Sequence, residues 1–200
     1  MVKRTSDIFL SLLGILMLAL PMLVIAVLIR LGSRGPAVFR QRRAGRGGRP
    51  FTMYKFRTMR AEGDPYAPSP HSPDDQRITG IGRFLRQRSL DELPQLLNVL
   101  KGDMSLVGPR PLYERQAAEW NDRQRRRLEV RPGITGLAQV RGRGALTIEE
   151  KLELDVQYVE KRSWWLDCKI MIRTAGMAFS SPGTTYERRY SRTKERETDS

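Results

Sequence analysis

The sequence predicts an α+β fold, mainly helical, entered through a re-entrant membrane segment of helix-break-helix form. Three observations carry this. An uncharged apolar run from Ile8 to Ile29 contains Pro21. Two short β-prone segments flank a glycine-rich connection, and most of the remaining chain shows leucines or tryptophans at helical spacing between start and stop signals. The expected organisation is a membrane hairpin over 1–34, one small domain over 35–180 and a polar tail over 181–200. No internal repeat is present.

As a straight helix, Ile8 to Ile29 would be about 33 Å long, enough for a bilayer core of about 30 Å. The run is longer than the apolar core of a signal peptide, and no small-x-small cleavage site follows it. Pro21 removes a helical hydrogen bond and crowds the preceding turn, so a break is expected there. Positive charge stands at both ends, Lys3 and Arg4 before and Arg30 and Arg34 after. A crossing helix biases Lys and Arg to one side, whereas a re-entrant segment returns both ends to the same side.

In the soluble part, Ala37 to Arg42 and Phe51 to Thr58 read as a hairpin around GRGGRP. Ala61 to Gln76, with four prolines, reads as a loop and holds the lone histidine, His71. Leu93, Leu96, Leu97 and Leu100 mark a helix with one apolar face, stopped at Gly102. Its start is either a capping box, Ser89-Leu90-Asp91-Glu92, or a later turn at Asp91 that leaves Pro94 among N–H groups lacking partners. In both cases Asp91 and Glu92 occupy the first turn, as caps or as chemistry.

Two turns rich in Gly and Pro follow, GDMSLVGPRP (Gly102 to Pro111) and RPGITGLAQVRGRG (Arg131 to Gly144), each suited to holding arginines in place. Between them Tyr113 to Leu128 reads as a polar helix, with Arg123, Arg125, Arg126 and Arg127 on a solvated or lipid-facing surface. Thr147 to Glu150 is a capping box opening a helix through Val159. Ser163 to Phe179 combines Trp164 and Trp165 with Lys169 and Arg173, as in an amphipathic helix lying in the membrane interface or packed on the core. Tyr186 to Ser200 is polar and reads as disordered.

The chain has 36 Lys plus Arg against 22 Asp plus Glu, a formal charge of +14, which implies anionic partners. Most of the cations are arginines, suited to bidentate phosphate contacts. The single Cys168 forms no internal disulfide, fits a reducing compartment and reads as packing. No CxxC or Cys/His cluster suggests zinc. No helix-turn-helix, zinc-finger or RNA-binding signature supports a nucleic-acid partner.

Four segments in this order, YKFRTM (Tyr54 to Met59), SLDELPQLLNVLKGDMSLVGPRP (Ser89 to Pro111), RPGITGLAQVRGR (Arg131 to Arg143) and ELDVQYV (Glu153 to Val159), resemble the bacterial sugar transferases called monotopic phosphoglycosyl transferases. The resemblance runs from about Lys3 to Phe179 and is to the minimal form, without a preceding multi-span membrane domain. It implies an enzyme that moves a sugar phosphate from a nucleotide-sugar donor, usually a UDP-sugar, to polyprenyl (undecaprenyl) phosphate, releasing UMP in the first membrane step of polysaccharide or glycoconjugate assembly. It implies that Asp91 is the nucleophile that becomes phosphoglycosylated, that Glu92 is its acid/base partner, and that Mg²⁺ is required, with Asp91 at the metal. Lys55, Arg110, Arg131 and Arg143 match basic motif positions and are expected at substrate phosphates. The resemblance further implies a re-entrant hairpin broken at Pro21 in the lipids of the bacterial inner membrane, with the catalytic domain on the cytoplasmic face. A dimer is compatible with it.

Leu137 and Arg141 stand where many relatives have tryptophan and asparagine, and both adjoin the expected substrate loops, so they leave the sugar open. Two rivals make different products. A basic scaffold on nucleic acid or acidic lipid releases no nucleotide, and a glycosyltransferase moving the sugar without its phosphate releases UDP.

Overall fold

The apolar run folds as one helix. In the computed structural model, which describes residues 2–60, 70, 74–117 and 119–179, α1 runs unbroken from Val2–Gly32. The break expected at Pro21 is absent, since the helix continues through it. Proline deletes only its own N–H bond to the preceding turn, and the bonds on either side still carry the ladder. At 31 residues α1 is about 46 Å long.

One stripe of α1 faces the rest of the chain. Asp7, Ser11 and Ile29 are buried, Gly14 lies against Leu96, and Met22, Ile25 and Ala26 pack around Ile29, Phe56 and Leu85. These positions recur every three or four residues, the helical period. The opposite face exposes Phe9, Leu16, Met17, Leu20, Leu23 and Leu31. So large an apolar surface on a polar domain marks membrane association. Both ends of α1 hold the same small domain.

The expected hairpin forms, shifted slightly, as β1 (Val38–Ala44) and β2 (Pro50–Phe56), antiparallel in the register Val38↔Phe56 to Ala44↔Pro50. Next come α2 (Gly80–Gln87), capped by the Thr79 side chain, and α3 (Gln95–Lys101), ended by Gly102 at φ 93°. His71 and most of the expected 61–76 loop lie outside the described residues.

The start of α3 differs from the capping-box reading. Ser89 is left-handed, at φ 55°, and its side chain caps nothing. A single 3₁₀ turn, Leu90–Glu92, precedes α3, and Pro94 occupies its N-cap. This is the arrangement that spares the missing proline N–H. The apolar face is also rotated: Leu97 is 43% exposed while Asn98 is fully buried. Asn98 replaces apolar contact with bonds, donating to the Thr52 carbonyl and accepting from the Tyr54 N–H, which straps α3 to β2.

The two glycine- and proline-rich turns are joined as a parallel pair, β3 (Ser105–Val107) with β4 (Gly133–Thr135). A Cβ on Gly133 or Gly136 would collide with the backbone of Gly108, so these glycines are what lets the turns interlock.

Tyr113 to Leu128 is not one helix. It contains α4 (Glu114–Ala117) and α5 (Asp122–Arg125), then a 3₁₀ turn, Arg126–Glu129. The surface reading holds for Arg123 and Arg126, which pair there with Glu153 and Glu160, but not for Arg127, which is buried. These acids lie on the helix that follows. After α6 (Leu137–Arg141), the Thr147–Glu150 capping box forms as expected and opens that helix, α7 (Ile148–Lys161).

The last helix, α8 (Trp164–Phe179), buries Ile170 with Leu166 and Met171 against Tyr158 and Val159, and exposes Trp164, Trp165 and Ile172. It thus combines both readings, packed on one face and presenting interfacial residues on the other. The expected tail, 181–200, lies outside the described residues.

Candidate active site

Asp91 and Glu92 are adjacent in a single 3₁₀ turn and lie in different surroundings. Glu92 faces β2 and the Pro109-Arg110-Pro111 turn. Its Oε1 accepts from Lys55 Nζ at 3.0 Å and from Arg110 Nη2 at 2.9 Å. Lys55 is on β2 and Arg110 follows β3, so the site is assembled from three separate parts of the chain. Burial pushes the Glu92 carboxyl up, but Arg110 and Lys55 together outweigh it and hold it at about 2. Burial also pulls Lys55 below its ordinary value, with Glu92 opposing.

Asp91 is 8% exposed, and no hydrogen bond to its carboxylate is present among the described residues. Burial raises it to about 6; Lys55 opposes the rise and the neighbouring Glu92 adds to it. The pair is therefore split. Glu92 is an anchored anion, and Asp91 is an unanchored carboxylate that is ionised at neutral pH but holds its proton more readily. Adjacent carboxyls separated in this way are a recognised mark of functional sites.

The structure brings Lys55 and Arg110 to the acid pair. Arg131 turns elsewhere, donating from Nε to the Gly102 carbonyl at 2.8 Å, where it closes the end of α3. Arg143 is left-handed at φ 50° and makes no ion pair with either acid among the described residues. Pro21 sits in α1 at an exposed position.

Three supporting residues escaped the sequence reading. Arg86 of α2 donates to the Thr58 hydroxyl at 2.9 Å and helps hold Asp91 down. Arg127 donates to the Arg110 carbonyl at 2.6 Å and pairs with buried Asp155 of α7, also at 2.6 Å. Arg127 also stacks over Trp120, 4.7 Å from the ring centre. Nothing in the local sequence singles out Arg127 from its neighbouring arginines as the partner of Asp155.

The bacterial sugar transferase profile matches residues 1–181. The chain belongs to the bacterial sugar transferase family. This sugar transferase is 46% identical over 181 residues to the uncharacterized sugar transferase EpsL of Bacillus subtilis (strain 168), covering 90% of this chain and 89% of that one. It is 44% identical over 184 residues to the UDP-glucose:undecaprenyl-phosphate glucose-1-phosphate transferase of Caulobacter vibrioides, covering 86% of this chain and 67% of that protein. The enzyme of the same name from Escherichia coli (strain K12) is 39% identical over 191 residues, 90% of this chain but only 40% of the relative. The sugar transferase chain thus spans well under half the length of some curated relatives and nearly all of others.

Proposed function

We propose that this sugar transferase moves a sugar phosphate from a UDP-sugar to polyprenyl phosphate, releasing UMP through a covalent phosphosugar intermediate on Asp91. The observation that carries the reading is the split acid pair. Asp91 has a free, ionisable carboxylate, while Glu92 is held by two cations that a diphosphate would also meet. Relatives named for sugar-phosphate transfer to undecaprenyl phosphate give the reaction class.

In the first half-reaction an Asp91 carboxylate oxygen attacks the phosphorus bonded to the sugar. The bond from that phosphorus to the bridging diphosphate oxygen breaks, and UMP leaves with the electron pair. In the second half-reaction an oxygen of polyprenyl phosphate attacks the same phosphorus and frees Asp91. Splitting the transfer allows a water-soluble donor and a lipid acceptor to use one site in turn. Lys55 and Arg110 balance the charge of Glu92 and offer charge-assisted bonds to phosphate oxygens. Glu92, held as an anion, keeps both cations in place beside Asp91.

No group of three or more His, Cys, Asp or Glu side chains that would cage a metal occurs among the described residues. Mg²⁺ needs no such cage, because it is commonly held by one or two carboxylates with water and substrate phosphates. The unbonded Asp91 carboxylate fits this donor set. When bound there, Mg²⁺ would neutralise the diphosphate and lower its repulsion of the nucleophile.

The deciding assay incubates the full chain, in membrane vesicles, with a panel of UDP-sugars and undecaprenyl phosphate. UMP release dependent on the lipid supports the reading. UDP release would point to transfer of the sugar alone, and no nucleotide release with any donor would return the basic surface to a scaffold role. At Arg110, substitution by Lys keeps the charge but loses the planar fork, so turnover should fall on the order of 10²-fold. An unchanged rate would remove Arg110 from the phosphate contacts.

The same reading sets the topology. UDP-sugars are cytoplasmic, and both ends of α1 pack on the domain that carries Asp91, which supports a helix held with both ends on the cytoplasmic face of the inner membrane rather than one that crosses it. A Val2→Cys variant in a Cys168→Ser background should resist an impermeant thiol reagent in intact cells and react after lysis. Labelling in intact cells would rule this topology out.

A further inference from the structure

We propose that the first two turns of α1 form a latch that positions Arg110 for transfer, with Asp7 as its central positioning residue. The proposal rests on the functional reading above but is carried by separate contacts. Asp7 is a carboxylate in an otherwise membrane-seeking helix, and it is 5% exposed. Its Oδ2 accepts from the Ser105 hydroxyl at 2.8 Å and its Oδ1 from the Leu106 N–H at 3.1 Å. One turn earlier, Lys3 Nζ donates to the Val107 carbonyl at 3.0 Å and to Asp167 at 2.6 Å. The Tyr158 hydroxyl donates to the other Asp167 oxygen at 2.7 Å and lies 3.1 Å from the same carbonyl. All three residues of β3 are thus tied to α1, and Arg110 stands three residues beyond its end.

Arg4 completes the device. Its guanidinium donates to the carbonyls of Val99 at 2.6 Å and Leu100 at 3.0 Å, at the C-terminal end of α3. The helix that leaves the acid turn and the strand that leads to Arg110 are therefore both bound by one turn and a half of α1. Burying the Asp7 carboxylate along an apolar helix is costly unless it is bonded, and here both of its oxygens are, while Lys3 and Arg4 direct their charge to further bonds to the domain. A helix needed only for anchorage has no use for these groups. Their effect is to make the relative position of acid turn and Pro-Arg-Pro turn depend on the seating of the membrane helix.

The test is a double-mutant cycle on the full chain in membrane vesicles, reading kcat and KM for UMP release. Asp7→Asn places an amide N–H₂ where only acceptors are needed, and should lower kcat on the order of 10²-fold with little change in KM. In an Arg110→Lys background the same change should cost less than about 3-fold, because the residue it positions is already altered. Equal costs in both backgrounds would overturn the latch and leave Asp7 a general structural residue. Ser105→Ala, which removes one bond and no charge, provides the same cycle if Asp7→Asn does not fold. Independently of turnover, amide hydrogen exchange over 105–111 should accelerate in Asp7→Asn while α7 stays protected. Unchanged exchange would also overturn the latch, even if the transfer assay itself found a different reaction.

Discussion

Asp91→Asn is expected to abolish sugar-phosphate transfer while making the folded protein more stable at neutral pH. The two effects come from the same carboxylate. An amide has no nucleophilic oxygen, so no covalent intermediate forms, and brief incubation with donor should label Asp91 in the parent chain alone. The stability gain follows from burial, which raises the Asp91 carboxyl to about 6. A carboxyl raised on folding binds its proton more tightly in the folded state, so ionising it at higher pH costs stability. That cost is absent below the unfolded value near 4 and complete above about 6. Asn carries no charge, so the variant should gain on the order of 2 kcal/mol at pH 7 to 8, and nothing below about pH 4. Denaturant unfolding at the two pH values measures it. The acid limb of the parent's rate should fall near pH 6, where Asp91 takes up its proton. Turnover by Asp91→Asn at the parent's rate would end the covalent mechanism.

The parts of this site that were legible in the sequence are those whose signal is local. Asp91, Glu92 and Gly102 belong to one turn and one helix, and Gly102 ends α3 through its own left-handed backbone. The Pro109-Arg110-Pro111 motif read locally as a turn that holds Arg110 in place, and its phosphate role came from the resemblance. Lys55 was legible only through resemblance, since nothing in YKFRTM itself indicates that β2 runs beside the acid turn. Arg131 and Arg143 share the motif style of Arg110 and yet make no ion pair with the acids; Arg131 is instead engaged at the Gly102 carbonyl.

The misreadings have a common physical cause. Pro21 was assigned a break from its local chemistry, but a long helix with intact bonds on both sides and packing at both ends accommodates one missing donor. Asn98 was passed over in favour of Leu97 because periodicity counts apolar residues. It gives no weight to a polar side chain whose partners lie on another strand. Arg127 was placed on the surface with its neighbours because a run of arginines is most simply solvated. Its partners, Asp155 and Trp120, are set by tertiary packing. Where the partner is distant in sequence, spacing alone carries no information about it.

Asp155→Asn is the second change expected to have a large effect, and it tests that tertiary link to the site. Arg127 and Asp155 are nearly solvent-free, with side chains 2% and 3% exposed. Replacing Asp155 by its isostere keeps the volume and leaves a buried guanidinium without its counter-charge, which costs about 3–5 kcal/mol. The loss should appear as earlier unfolding in denaturant. Arg127 also holds the Arg110 carbonyl, so movement towards water would displace the Pro-Arg-Pro turn and reduce transfer. A second variant separates the two consequences. Asp155 Oδ1 has no hydrogen-bond partner among the described residues, so the ion pair is incompletely satisfied. The double change Arg127→Met with Asp155→Leu should therefore recover much of the lost stability, as apolar replacements of buried pairs often do. It does not restore the donor at the Arg110 carbonyl, so transfer should stay low in a stable protein. Recovery of both together would mean that Arg127 contributes only its packing, and that Arg110 is held by Glu92 and its flanking prolines alone.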